Sequence, residues 1–160
     1  MFTDEQFTCL AKKYIDMVFR IALNYLKSGA DAEDVTQNVF LKLWKEKKPF
    51  AGEEHIRNWL IRVAINECKS ILRSPWRSTE NIDDYARILS FDTREQTELF
   101  TAVMDLPQKY SVPVYLYYYE GYSTEEIASI LSIPRATVAT RLRRGREQLK
   151  TFLQEADEYV

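Results

Sequence analysis

Apolar residues recur every three or four positions through the N-terminal half of the chain. In the first such segment, residues 5–27, they are Phe7, Leu10, Tyr14, Val18, Ile21 and Tyr25. This spacing places them on one side of an α-helix. The same periodicity predicts a second helix, capped by Asp31 and running to about residue 47, and a third helix over residues 56–73. We therefore predict three packed helices in this half.

The C-terminal half begins with a helical segment and ends with a tight pair of helices. From about residue 98 the first apolar positions at helical spacing are Leu99, Val103 and Leu106. Ser123 and Glu126 form the pattern of a capping box, in which each side chain accepts the other residue's backbone N–H. The short helix that follows leads to Pro134, in the first turn of a final helix that reaches about residue 152. This arrangement predicts a helix-turn-helix.

Residues 78–97, between these halves, are polar, acidic and weakly periodic. They have few large apolar groups to bury, which is typical of a linker. We therefore expect an all-α protein of two small helical domains joined by a flexible acidic linker. The predicted boundaries are 1–75 for the first domain, 76–97 for the linker and 98–154 for the second domain.

Charge is less evenly distributed along the chain than the net charge of −2 suggests, with an acidic connector before a basic C-terminal end. Residues 134–150 carry six basic side chains against one glutamate, whereas residues 80–105 carry seven acidic side chains against two arginines. An evenly spread charge of −2 would argue against a nucleic-acid partner. The concentration of positive charge on the last helix removes that objection.

Several classes of protein are disfavoured by the sequence. There is no apolar run of the roughly 18 residues that span a membrane, and no basic-then-apolar leader, so we expect a cytoplasmic protein without membrane insertion. Cys9 and Cys68 are far apart, which argues against a disulfide scaffold or a thiolate metal site. The candidate ligands for a rival metal hydrolase are Asp31, Glu33, Asp34 and the loop residue His55. Carboxylates at a helix start are more often dipole partners, so we expect no metal, no cofactor and no catalysis.

The final helix has one apolar and one polar side. Val138, Leu142 and Leu149 cluster on the side that packs. The opposite side includes Thr137, Thr140, Arg143, Arg144 and Gln148. Arginine can grip guanine acceptors or phosphates, and threonine suits backbone or thymine contacts, so this side favours recognition of the DNA major groove. A solvated basic helix without a ligand is the alternative.

The third helix is apolar around more than half of its circumference. Its remaining strip holds Asn58, Arg62, Asn66, Lys69 and Arg73, with Trp59 at the edge. Cations hold phosphates, amides recognise base edges and aromatic rings stack on bases, so the strip favours contact with an opened nucleic-acid strand. The alternative is a solvent-facing strip beside a core Trp59.

The second helix carries a separate mixed surface. Its core stripe is predicted to be Ala32, Val35, Val39 and Leu43. A different face holds Asp34, Asn38, Leu41 and Lys45, flanked by Gln37. Mixed polar and apolar composition is typical of non-obligate protein interfaces, although a single surface leucine is also common.

Two long motifs, in this order, resemble those of the extracytoplasmic-function sigma factors, small bacterial subunits that direct RNA polymerase to promoters. DAEDVTQNVFLKLWK and PFAGEEHIRNWLIRVAINECKSILR are similar to conserved region two. LPQKYSVPVYLYYYEGYSTEEIASILSIPRATVATRLRRGREQL is similar to region four. Positions that depart from the family pattern are Asn38, Ala51, Ser111 and Ala139.

The resemblance implies a role for each surface. The residues implied to bind core RNA polymerase are Asp34, Gln37, Asn38 and Leu41. Those implied to bind the minus-ten element are Phe50, Ala51 and Gly52 in a loop that captures a flipped base, followed by Asn58, Trp59, Arg62, Asn66, Lys69 and Arg73. Those implied to bind the minus-thirty-five element are Arg135, Thr137, Thr140, Arg143 and Arg144.

The expected partners are core RNA polymerase, promoter DNA and an anti-sigma protein that covers the same surfaces. A helix-turn-helix repressor or activator that acts without polymerase is the competing hypothesis. It explains the C-terminal helices but leaves the strip on the third helix and the mixed face of the second helix without a role.

Overall fold

The computed structural model describes residues 1–73 and 94–158, with side chains described for 1–73 and 96–151. The predicted linker therefore lies mostly outside the described residues. Within them the chain is helical and no strand occurs. The helices are α1 (Asp4–Leu26), α2 (Gly29–Lys45), α3 (Glu53–Leu72), α4 (Arg94–Asp105), α5 (Gln108–Tyr118), α6 (Thr124–Leu131) and α7 (Arg135–Glu158). The chain divides into two compact units, residues 1–82 and 83–160.

Local caps set where α1 and α2 begin. Thr3 and Gln6 form a capping box at the start of α1. The predicted cap at Asp31 is wrong, because the Ser28 hydroxyl already accepts the backbone N–H of Asp31 at 3.2 Å. Ser28 has the extended backbone of an N-cap residue, so α2 starts at Gly29 and Asp31 lies in its first turn.

Unit 1 is a three-helix core with α3 packed against both other helices. The predicted stripe of α2 is confirmed, since all four of its residues are fully buried. On α3 the buried side chains are Ile56, Leu60, Ile61, Ala64, Ile65 and Cys68. Val63, Ile71 and Leu72 of the same apolar surface are only half-buried, so α3 is less enclosed than that surface predicts.

Unit 2 is built around α5, which contacts α4, α6 and α7. Of the three apolar positions expected at helical spacing, Val103 and Leu106 are buried, whereas Leu99 is 40% exposed and the neighbouring Phe100 is fully buried. The Phe100 ring meets the rings of Tyr115 and Tyr119 edge-on, at 5.9 and 5.6 Å between centroids. Two large apolar residues in succession leave the phase of a helix open, and burial of the larger aromatic surface decides it.

The helix-turn-helix forms as predicted. The capping box of Ser123 and Glu126 is present, with both of its hydrogen bonds at 3.1 Å. The short helix ends at Leu131, followed by Ser132 in the left-handed conformation. Because α7 begins at Arg135, Pro134 precedes the helix and does not lie in its first turn as predicted. Gly145 lets α7 approach α5 closely, because a Cβ at this position would lie 2.7 Å from Val114 Cγ2.

Candidate nucleic-acid and polymerase interfaces

The polar side of α7 is accessible while its apolar side is packed. Val138 and Leu142 are buried, as predicted. Of the five predicted minus-thirty-five residues, the three arginines are exposed and the two threonines are half-buried. The exposed Arg135 forms an ion pair with the equally exposed Glu125 of α6, at 3.0 Å. Such a surface pair contributes little and leaves the guanidinium exchangeable for a phosphate.

A polar depression of about 390 Å³ opens beside these residues, between the start of α5 and the start of α7. Its walls are Lys109, Tyr110, Ala136, Thr137, Thr140, Arg141 and Arg144. Hydrogen bonding to the Arg144 guanidinium lowers the pKa of the Tyr110 phenol. Lys109 Nζ lies 5.0 Å from the centre of the same ring. Tyr110 therefore helps to orient Arg144.

Sequence reasoning missed Lys109 and Tyr110. They are 34 positions or more from Arg144 in the chain, so only the packing of α5 against α7 brings the three together. Thr140 uses its hydroxyl hydrogen within α7, donating to the Ala136 carbonyl at 3.0 Å. Its lone pairs and its methyl group are what it can offer a ligand.

The predicted strip on α3 is a continuous accessible surface. Arg62, Asn66, Lys69 and Arg73 are exposed, and Asn58 is half-buried at its N-terminal end. Cationic and amide side chains therefore line one face for more than three helical turns. That face can follow an extended anionic chain such as a single DNA strand.

At the start of the strip, Phe50 ties the preceding loop to the body of unit 1. Its ring stacks on Phe2 at 5.9 Å and meets Trp59 edge-on at 5.7 Å. Trp59 is half-buried in this cluster, so its ring packs beside the loop and part of it stays accessible. The next loop residues, Ala51 and Gly52, are exposed.

Glu53, the first residue of α3, is engaged with α1. It forms an ion pair with Lys13, and the Tyr14 hydroxyl donates to its Oε1 at 2.9 Å. The hydrogen bond from Lys13, and then that from Tyr14, lowers the pKa of the Glu53 carboxyl. Glu53 is therefore engaged within unit 1, while Glu54, the next residue of α3, is exposed.

The sequence predicts that His55 lies in the loop. In the structure it belongs to the first turn of α3. Its Nδ1 accepts the backbone N–H of Ala51 at 2.9 Å. Its ring also meets Phe50 edge-on at 5.1 Å. The histidine therefore contacts the loop through both the backbone and a side chain.

An apolar groove of about 650 Å³ runs between α1 and α2. Gln37 and Leu41, two of the four predicted polymerase-binding residues, line it together with Ile15 and Trp44. Leu41 is 54% exposed, and Ile15 and Trp44 are similarly accessible. Asp34 and Asn38 are exposed on α2 but do not line the groove. Trp44 could have been identified from the sequence, because it follows Leu41 by three positions and so shares its face.

Metal-binding clusters and membrane spans are both missing from the described part of the chain. No three of its His, Cys, Asp or Glu side chains form a group that could hold a metal ion. Across residues 1–73 and 94–158, no helix combines the length and the apolar character that crossing a bilayer requires.

Comparison with known proteins assigns both units. The family model of Sigma-70 region 2 matches residues 10–78, and that of Sigma-70, region 4 matches residues 96–149. The chain is 30% identical to the ECF RNA polymerase sigma-E factor of Haemophilus influenzae, over 92% of this chain and 87% of that protein. It is 28% identical to the sigma-E factor of Escherichia coli K12, over 92% and 86%.

A solved structure shares the fold. The sigma factor RpoE, in a co-crystal with the anti-sigma factor NepR from Bartonella quintana, matches with a TM-score of 0.71 at 21% identity, over 92% of this chain and 96% of that one. Region 2 followed by region 4 defines the sigma-70 class of transcription initiation factors. The chain belongs to the extracytoplasmic-function sigma factors of that class. The repressor hypothesis is not favoured, because it leaves the region 2 match without a role.

Proposed function

We propose that this sigma factor brings core RNA polymerase to promoters through three surfaces. The groove between α1 and α2 binds polymerase, the loop and strip of α3 bind the opened minus-ten element, and the polar side of α7 binds the minus-thirty-five element. The observation that carries the proposal is the exposed strip of Arg62, Asn66, Lys69 and Arg73, which leads away from an exposed loop. A protein that bound only duplex DNA through α7 would have no use for it.

The two DNA surfaces do different work. Extracting a base from the stack costs a few kcal/mol, so a loop that holds the flipped base favours strand opening. The strip then holds the phosphates that follow, with Asn66 at a base edge. On α7, Arg143 and Arg144 contact bases or phosphates of intact duplex, and Thr137 and Thr140 contact the backbone or a thymine methyl.

The groove supplies the link to polymerase. Leu41 and the neighbouring apolar side chains form its centre, while Asp34, Gln37 and Asn38 provide polar contacts around it. An apolar centre with a polar rim is the usual anatomy of a protein interface. An anti-sigma protein competes for the same surfaces, and the Bartonella sigma factor, which was crystallised with its anti-sigma factor NepR, supports this part of the proposal.

Residues 1–75 carry the first two functions and residues 98–154 the third, with residues 76–97 joining them. The chain acts in the cytoplasm, catalyses no reaction itself and needs no cofactor or metal. Bond formation belongs to polymerase, and the sigma factor contributes binding energy and strand opening.

Promoter-dependent transcription with purified core polymerase tests the proposal. We expect defined transcript starts on genomic DNA that appear only when the chain is added. Leu41→Asp should abolish polymerase binding, whereas Leu99→Asp, at a comparably exposed leucine outside the groove, should not. Transcription that is indifferent to the chain, with DNA binding retained, would favour the repressor hypothesis instead.

A further inference from the structure

The start of α3 is capped in an unusual way. Its N-cap residue is Gly52, which has no side chain to accept a hydrogen bond. In an ordinary capping box the third helical residue bonds back to the N–H of the N-cap. His55 occupies that third position but bonds one residue further back, to the N–H of Ala51. The histidine thereby caps the loop rather than the helix.

This hydrogen bond fixes the orientation of one peptide unit. A trans peptide is planar, with its C=O directed opposite to its N–H. Holding the Ala51 N–H on His55 Nδ1 therefore directs the Phe50 carbonyl away from the histidine. The side chain of Phe50 is held by T-shaped ring contacts with His55 and Trp59. The Phe50 carbonyl, an acceptor oxygen of the loop, thus has a defined direction before any DNA binds.

We propose that His55 is a positioning residue for recognition of the flipped minus-ten base. It acts by presenting the backbone of Phe50, Ala51 and Gly52 in one conformation, so that less loop entropy is lost on binding. This inference rests on the proposed function of the loop. It assigns base selection largely to backbone groups, which fits an alanine and a glycine at the exposed positions.

The role requires a lone pair on Nδ1, so the proton of the neutral ring resides on Nε2. An asparagine at this position can place its amide oxygen close to where Nδ1 stands. A leucine keeps comparable bulk but accepts no hydrogen bond. A glutamine is one bond longer, so its oxygen overshoots that position. Comparison of the three substitutions distinguishes the effect of the hydrogen-bond acceptor from the effect of side-chain volume.

The test uses holoenzyme assembled from core polymerase and the full chain. Promoters carry each of the four bases in turn at each minus-ten position, and strand opening is followed by permanganate reactivity. We expect His55→Leu to slow opening roughly 3- to 10-fold, the size of a lost hydrogen bond, and to flatten the preference among bases. His55→Asn should restore both the rate and the preference, and His55→Gln should restore neither.

Thermal unfolding of each variant guards against a simple folding defect. A folded His55→Leu variant that opens promoters at the wild-type rate and with unchanged base preference overturns the inference. So does a His55→Asn variant that is folded and as defective as the leucine variant. Lys69→Ala tests the underlying function: if it weakens opening while His55→Leu does not, only the role of the histidine fails. If neither matters, the proposed function of the loop and strip fails.

Discussion

The two predicted DNA-binding sites are supported in different ways. The helix-turn-helix that carries α7 opens at α6 with a capping box between residues three positions apart, Ser123 and Glu126. The loop before α3 is held from α1 and the N-terminus, through Phe2 on Phe50 and through Lys13 and Tyr14 on Glu53. The helix pair at the predicted duplex site thus starts from a local signal, whereas the loop at the predicted opened-strand site is also held by contacts distant in sequence.

The difference matters for what each site must do. Duplex DNA offers a regular groove, so a correctly started helix with an exposed polar face is sufficient to dock in it. An extruded base needs a pocket whose shape is set in advance. In the proposed function, anchoring the loop at several points supplies that shape, and each anchor can be removed separately.

The largest expected effect is at the duplex site. Arg144→Ala should weaken binding of holoenzyme to a cognate minus-thirty-five element by about 1 to 3 kcal/mol if the arginine contacts a base, with relaxed specificity at that position. Binding of holoenzyme to promoters mutated at single positions measures both the affinity and the specificity. A uniform loss across all sequences would make Arg144 a phosphate contact, and no loss would remove it from the site.

The second largest effect is expected at the capping box of α6. Ser123→Ala removes the side chain that accepts the Glu126 N–H, and should lower the stability of unit 2 by about 1 kcal/mol. Ser123→Asp, which preserves an acceptor, serves as the control in chemical unfolding. Equal stability of the alanine variant and the wild type would show that the box contributes nothing to the helix-turn-helix.

Gly52→Ala separates folding from DNA binding at the loop. The φ of Gly52 is 165°, which is extended, and an added Cβ meets no atom within 4 Å. The free protein should keep its melting temperature, while the methyl group obstructs the bound base and slows opening, by roughly 2- to 10-fold if one hydrogen bond to the base is lost. A variant with normal opening would place the base elsewhere.

The smallest effect is the acid sensitivity of the loop anchor. The folded-state pKa of Glu53 is lowered, so the stabilisation from Lys13 and Tyr14 is present above the ordinary glutamate pKa and is lost as pH falls through the lowered value. Glu53→Gln should remove this part of the pH dependence and should lower the stability near neutrality by the same small amount, because the pair is exposed and screened by salt. The measurement is the unfolding of both proteins as the pH is lowered. Identical curves for wild type and the variant would contradict a stabilising role of the Glu53 carboxylate.

The sequence-based predictions succeeded where the structure depends on residues close to one another in sequence. Helical periodicity located the buried face of α7, and the pattern of Ser123 and Glu126 located the start of α6. The predictions erred where neighbours compete, as when Ser28 capped α2 in place of Asp31. His55 and Tyr110 were beyond their reach, because the contacts of these two residues depend on how a loop folds onto a helix and how two helices pack.

Permanganate footprinting beside promoter-binding measurements tests the division of labour most directly. Holoenzyme with Arg62→Ala and Lys69→Ala together should bind promoter duplex nearly as well as wild type but show weak thymine reactivity in the minus-ten element. Holoenzyme with Arg143→Ala and Arg144→Ala should lose duplex binding at the outset. If both pairs reduce duplex binding alike and neither reduces opening once the promoter is bound, the two sites do not divide the work as described.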